Sequence, residues 1–249
     1  MPTTLKNTVL GGHSDAAPLI WTDGITMRGV GPEIAMEILT ELGVTVLHAP
    51  KLPYKRTMRF LQSGNIDLVA GMVANEERGG FSEFVQPQLM SISPYIFTMK
   101  NKKNTVTSWN DLVNLRGAAH RGSAFGKKFD EFANSHLSID LVTLPIDTLK
   151  ILARGRVDYA LHHRLFGMLQ MKVLGIENQI AISDKPLGDF SQAINFAFSK
   201  QSPCKYLSSA FGEKLSKYLA EHDLEVLLNT HTQAYLHYLK SKKGSSNDS

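Results

Sequence analysis

A single cysteine, Cys204, stands in a chain of 249 residues. That excludes an internal disulfide and a thiolate pair for a metal, and leaves a buried inert thiol as its simplest role. Long apolar runs are missing too. None approaches the roughly 18 to 20 residues that a membrane helix needs, and the longest candidates carry Asp, Lys or Arg. The opening Met1-Pro-Thr-Thr-Leu-Lys-Asn-Thr8 lacks the apolar core of a secretion signal. The chain therefore reads either as cytosolic or as a mature form whose signal was removed. Basic clusters are few: the net charge is +4 and the pI about 9.0, yet Lys and Arg are scattered among acids. The longest basic cluster, Lys240 to Lys243, sits near the end, which fits an anionic small ligand or plain solubility better than nucleic-acid binding, so no nucleic-acid partner is expected. What is present is an ordinary globular composition, 43% hydrophobic and 20% charged with 8% aromatic. This rules out the disordered and fibrous classes and suffices for one large or two modest domains.

Two stretches say nearly the same thing: Thr57-Met-Arg-Phe-Leu-Gln-Ser-Gly64-Asn-Ile-Asp67-Leu-Val-Ala70 and Thr148-Leu-Lys-Ile-Leu-Ala-Arg-Gly155-Arg-Val-Asp158-Tyr-Ala-Leu161. In each, apolar residues at helical spacing run into a glycine that tolerates the left-handed conformation ending a helix, then into a short apolar β-type run. The pattern predicts helix, glycine stop and buried strand, twice. Ligands of open α/β sheets collect beyond the carboxyl ends of strands, so Gly71 to Arg78 and His162-His163 become the first suspects.

The rest of the chain fits a mainly parallel α/β arrangement. Thr8 to Gly12 reads as a strand emptying into a loop, His13 to Trp21. Gly31-Pro32-Glu33 opens a helix whose apolar face is Ile34, Ile38 and Leu42, stopped by Gly43. Val44 to Leu47, Tyr54 to Ser63 and Ile66 to Ala70 then give strand, helix and strand. Ser93 to Met99 reads as a strand-like crossover into polar Lys100 to Thr105. Beyond it come a short helix from Trp109 after the Ser108 cap, a strand to His120 and a helix from about Ala124 to Asn134. Strand Leu141 to Leu144 precedes the second repeat. Leu165 to Leu174 is helical, Ile180 to Ser183 and Ala193 to Ser199 are strands, and Pro203 to Leu239 is mostly helical. The closing Gly244 to Ser249 reads as a disordered end.

The order of these motifs resembles the type-3 extracellular solute-binding proteins, the amino-acid receptors of ABC importers. The likeness is densest over Leu61 to Arg78 and Glu83 to Pro87, and continues in Gly117 to Ser123, Gly155 to Asp158 and Phe196 to Pro203. The resemblance implies a two-lobed periplasmic-binding-protein type II fold, each lobe a mainly parallel sheet flanked by helices. Lobe 1 is expected at residues 1–97 and 191–249 and lobe 2 at 98–190, with hinges near Phe97 to Lys100 and Gly188 to Gln192. It also implies a monomeric periplasmic receptor that closes on a small carboxylate-bearing solute and delivers it to importer membrane subunits, with neither cofactor nor catalysis.

Carried over by position, Arg78 falls where the family keeps the arginine that clamps a ligand carboxylate with two parallel donors. Asn75 stands where Thr or Ser is usual and keeps an amide donor, with backbone groups of Gly71 and Val73 as co-donors and acceptors. Tyr54 aligns with an aromatic that covers the ligand. Trp21 reads equally as a cleft aromatic or a lobe-core residue, and Asp15 as a partner for a cation or a solvated loop acid. Ser123, expected at a helix N-terminus, is an anion site or a plain cap, with Arg121 adding charge. His163 stands where the family commonly has an aspartate for the ligand ammonium, and cannot supply that fixed charge. His162 and His163 make no metal site, because strand neighbours point to opposite faces and no third ligand is evident. Two rivals stay open: a cyclohexadienyl-dehydratase-like or peptidoglycan-cleaving enzyme using Asp15, His13 or His163, and a sensory ligand-binding module.

Overall fold

The computed structural model describes residues 7–101, 106, 108–123, 125–188 and 191–245, the side chains of 243–245 excepted. It divides the chain into two compact units, Met1–Met90 with Ala193–Ser249, and Ser91–Gln192.

Unit 1 opens with β1 (Asn7–Gly11), β2 (Asp15–Ala16), β3 (Ile20–Thr22) and β4 (Met27–Arg28), followed by α1 (Val30–Glu41) and β5 (Thr45–His48). Then come α2 (Tyr54–Gln62), β6 (Leu68–Val73), α3 (Glu76–Phe81), β7 (Ser82–Phe84) and β8 (Met90–Ile92), which reaches the unit boundary. Unit 2 holds β9 (Pro94–Met99), a 3-10 turn at Trp109–Leu112, β10 (Arg116–His120), α4 (Lys127–His136) and β11 (Ser138–Val142). It continues through α5 (Pro145–Ala153), β12 (Tyr159–His163), α6 (Arg164–Leu174) and β13 (Ile180–Ile182). The chain returns to unit 1 through β14 (Gln192–Ser199), a 3-10 turn at Pro203–Leu207, α7 (Ser208–Glu221) and α8 (Leu224–Ser245).

The repeat seen in sequence is a repeat in topology. Unit 1 has the strand order β5-β1-β6-β14-β7, with β8 also on β14, and unit 2 has β11-β10-β12-β9-β13. In each, three parallel strands meet an antiparallel fourth. The glycine stops adopt the expected left-handed backbone, Gly64 at φ 77° and Gly155 at φ 67°. The aspartates three residues on explain why the motif recurs. Asp67 donates its N–H to Val9 O at 3.0 Å and accepts the Val9 N–H on Oδ2 at 2.7 Å. Asp158 does the same with Arg116, at 2.7 and 3.0 Å. Each side chain extends the parallel ladder by one charge-assisted bond at the strand entrance. Asp67 is buried and also accepts Ser202 Oγ at 2.5 Å. Asp67→Ala is therefore expected to cost about 2 to 4 kcal/mol in denaturant unfolding, because the buried Ser202 hydroxyl and the half-buried Val9 N–H lose their acceptor. Half-exposed Asp158 should cost less, and equal losses would contradict this account.

Both faces of the unit 2 sheet are covered, as a parallel sheet requires. Phe97, Ala118 and Ala160 pack with Leu149, Leu152 and Met171 of α5 and α6. Their strand neighbours Ile96, Ala119, Tyr159 and Leu161 pack on the opposite face with Leu112 and Phe129.

Several expectations are corrected. The stretch expected as a loop from His13 to Trp21 contains β2 and β3, which with β4 form a small antiparallel sheet pairing Asp15 with Trp21 and Trp21 with Arg28. Strands of two or three residues are too short to show periodicity. β6 runs to Val73, so Gly71 and Val73 lie in the strand and not after it, and His162-His163 likewise end β12. The first crossing comes at Met90/Ser91 instead of 97/98, because β9 is hydrogen-bonded to β12 and β13, both in unit 2. Phe97 is fully buried in mid-strand, so the hinge proposed at Phe97 to Lys100 is not there. The second boundary falls at Gln192/Ala193, and residues 189–190 of the expected second hinge lie outside the described residues. Gly244 and Ser245 complete α8, and the remainder of the expected disordered end, 246–249, lies outside the described residues.

Candidate functional site

In unit 1 the end of β6 builds the site. Asn75 caps α3 by accepting the Arg78 N–H on Oδ1 at 2.9 Å. This is the role expected of a short polar side chain before an acidic first turn, here Glu76 and Glu77. The cap fixes Arg78 in the first turn of the helix. Its guanidinium turns back to donate from Nη1 to Val73 O at 2.8 Å, and the residue is 8% exposed.

The Arg78 Cζ lies 5.5 Å from the centroid of the Tyr54 ring, a cation–π approach. Tyr54 is the first residue of α2, after Pro53, and burial raises its phenol pKa while the Arg78 charge pulls the other way. The His13 ring stacks on Tyr54, with centroids 4.6 Å apart and planes at 22°. His13 Nδ1 accepts the Asp15 N–H at 3.3 Å, which assigns the ring proton of the neutral imidazole to Nε2. The Asp15 carboxylate pairs with Lys51 Nζ at 3.2 Å. Arg78, Tyr54, His13, Asp15 and Lys51 thus make a chain of contacts within unit 1, drawn from three separate stretches of sequence, with Asp15 joined to His13 through its backbone N–H.

Gly71 and Trp21 stand apart from this group. A Cβ added at Gly71, whose φ is 149°, would meet the Ile194 and Ile20 side chains at 3.2 and 3.4 Å, so the strand there is closely packed. Trp21 is 3% exposed and lies against Tyr235 and Tyr238 of α8, with ring centroids at 5.2 and 5.0 Å. Of the two readings of Trp21, the geometry is that of the core residue.

In unit 2 the candidates belong to a group of histidines. His162 is buried, its Nε2 is 2.9 Å from Gln170 Oε1, and burial pushes its pKa down to about 4. His163 occupies the N-cap position of α6 without a side-chain cap bond, and its ring lies near Phe125 and Phe166, centroids at 6.0 and 6.2 Å. Burial, with a contribution from His162, pushes its pKa down to about 3. Both rings are neutral at neutral pH. His163 Nδ1 has no hydrogen-bond partner among the described residues. Ser123 Oγ lies 3.3 Å from His120 Nδ1. It does not begin a helix: α4 starts at Lys127 after Gly126, and Asp130 accepts the Phe125 N–H at 3.1 Å. The expected helix N-terminal anion site at Ser123 is therefore corrected, because the glycine at φ 98° delays the helix. Arg121 is exposed and reaches Leu141 O at 3.5 Å. No group of three His, Cys, Asp or Glu side chains among the described residues is arranged to hold a metal ion.

No protein-family model and no curated protein matches the sequence. Solved structures do match in fold. One is AbpA, a substrate-binding protein of an amino acid ABC transporter from Streptococcus pneumoniae Canada MDR_19A, bound to L-arginine. It aligns over 92% of this chain and 95% of its own, with 22% identity and a TM-score of 0.76. An ancestral arginine-binding protein bound to arginine aligns over 93% and 99%, with 18% identity and a TM-score of 0.75. The chain has the type II periplasmic-binding-protein fold. The same fold matches a histidine kinase sensor domain similar to periplasmic binding proteins, over 93% and 96%, with 20% identity and a TM-score of 0.76. No helix among the described residues is long and apolar enough to cross a membrane.

Two members of the unit 1 group, His13 and Lys51, carry no sequence signal for their places beside Tyr54 and Asp15. His13 lies 41 positions from Tyr54, beyond the reach of any helix or strand period. Only the packing of the loop after β1 against the start of α2 brings the two rings together.

Proposed function

We propose that this chain is a solute-binding receptor that captures a small carboxylate-bearing solute and presents it to the membrane subunits of an ABC-type importer, working in the periplasm. The observation that carries this reading is the buried Arg78, held in the first turn of α3 and facing the Tyr54 ring. A planar guanidinium fixed in this way is pre-organised for a bidentate carboxylate. The likeness in fold to amino-acid transporter receptors supports the reading.

A non-catalytic role fits the histidines. A His163 whose pKa is pushed to about 3 is neither a proton donor nor an effective base at neutral pH. Of the other two suspects for enzymatic chemistry, Asp15 is paired with Lys51 and His13 is stacked on Tyr54. A sensory module is the second reading, favoured by the likeness to the kinase sensor domain. It shares the ligand site and differs only in what receives the signal.

Native mass spectrometry of the purified protein is expected to reveal a co-purified acid of low mass, lost on denaturation. Adding that acid to the emptied protein should raise its melting temperature, because a ligand that binds only the folded form stabilises it by mass action. No shift at saturating acid would overturn the receptor reading.

A further inference from the structure

We propose that unit 2 carries a second binding site, for a small zwitterion with an aromatic body, in a cavity of about 790 Å³ beside β9 and β13. It is separate from the Arg78 group, which belongs to unit 1. β13 is an outer strand of its sheet. On the face where Phe129 of α4 packs with Tyr159 and Leu161, a row of paired residues runs outward from Tyr159 to Thr98 and Ala181. Thr98 and Ala181 are small, and both line the cavity, together with Ile96, Trp109, Pro186 and Leu187. Its volume lies within the range of about 300 to 1,000 Å³ usual for small-molecule sites.

The lining is fastened, so the space is built into the unit and not slack that a side chain can fill. Ser183 Oγ accepts the Ile96 N–H at 3.2 Å and donates to Lys185 O at 2.7 Å. The Leu187 N–H donates to Pro94 O at 2.7 Å, and the Trp109 indole N–H donates to Leu187 O. With its N–H engaged, the indole offers a ligand its ring alone. That ring is held edge-on to Phe129, with centroids 5.3 Å apart. A flat apolar body packing on so fixed a ring loses little to reorganisation. Charge selects the head group. Asp184 and Lys185 are exposed members of the lining, and neither side chain has an ion pair or hydrogen bond among the described residues. Adjacent and opposite in sign, they offset each other toward a ligand of one charge, whereas a zwitterion gives each a partner.

Four probes share a phenyl ring and a short chain and differ in charge: L-phenylalanine, hydrocinnamate, phenethylamine and phenethyl alcohol. The readout is the Trp109 indole signal in proton–nitrogen correlation NMR of the full chain, told from that of Trp21 by the variant Trp21→Phe. Phenylalanine is expected to move it saturably and to bind about three- to tenfold more tightly than the other three, the range two exposed ion pairs supply. Asp184→Asn with Lys185→Gln should reduce phenylalanine to the affinity of phenethyl alcohol. Ala181→Leu, which fills the cavity, should abolish the shift for all four, and its melting curve verifies that it folds. An indole signal unmoved by phenylalanine at tens of millimolar would overturn the site, as would a shift that survives Ala181→Leu. Phenethyl alcohol binding as tightly as phenylalanine, or either singly charged probe binding best, would overturn the zwitterion assignment. A shift lost in Arg78→Ala would assign the binding to the carboxylate clamp of unit 1 and remove the second site.

Discussion

Arg78→Ala is expected to lower affinity for the co-purified acid by about 2 to 5 kcal/mol, the usual loss when one partner of a sheltered, hydrogen-bonded charge pair is removed. The guanidinium is nearly buried and anchored on Val73 O, so little reorganisation accompanies binding in the native protein. Arg78→Lys should recover only part of the loss, because an ammonium keeps the charge without the planar fork and stacks less well on Tyr54. The α3 cap uses the Arg78 backbone N–H and not its side chain, so both variants should fold. Titration calorimetry with circular dichroism checks binding and folding together. An unchanged dissociation constant in Arg78→Ala would remove the carboxylate clamp from the proposed function.

The second large effect is on stability in acid. Burial holds His162 and His163 neutral, with pKa values pushed to about 4 and about 3 from 6.5. Between those values and 6.5 the unfolded chain binds more protons than the folded one. The stabilisation is therefore complete above about pH 6.5 and is lost as pH falls toward the folded values. The expected loss is on the order of 3 kcal/mol for each histidine by about pH 4, with Gln170 and His120 as polar neighbours that modulate that of His162. Denaturant melts of the unliganded protein across this range test it. The variant His162→Gln with His163→Phe should flatten the profile. An acid limb equally steep in that variant would assign the loss to other groups.

The candidate residues Arg78, Asn75 and Tyr54 came from the family resemblance, whereas the local geometry that holds them has short-range causes. Asn75 before two glutamates is a cap written within four residues, and the cap orients Arg78. Tyr54 follows Pro53 at the start of a helix, again a short-range signal. Ser123 was misread for the same reason. A Gly-Ser turn looks like a helix start, but Gly126 defers the helix to Lys127, and the serine turns to His120 instead.

The sequence by itself determined the α/β class, the two helix-glycine-strand units and the aspartates that close them. Each rests on contacts within one turn or one strand, where backbone handedness and periodicity leave few choices. Tertiary structure alone decided three further features. β9 joins the sheet of unit 2, since a strand takes whichever edge offers it hydrogen bonds, and here both neighbours lie far along the chain. Trp21 is buried under α8, because Tyr235 and Tyr238 arrive from the other end of the protein. His13 comes to rest on Tyr54, completing the series from Arg78 to Asp15, through packing between segments that no spacing rule connects.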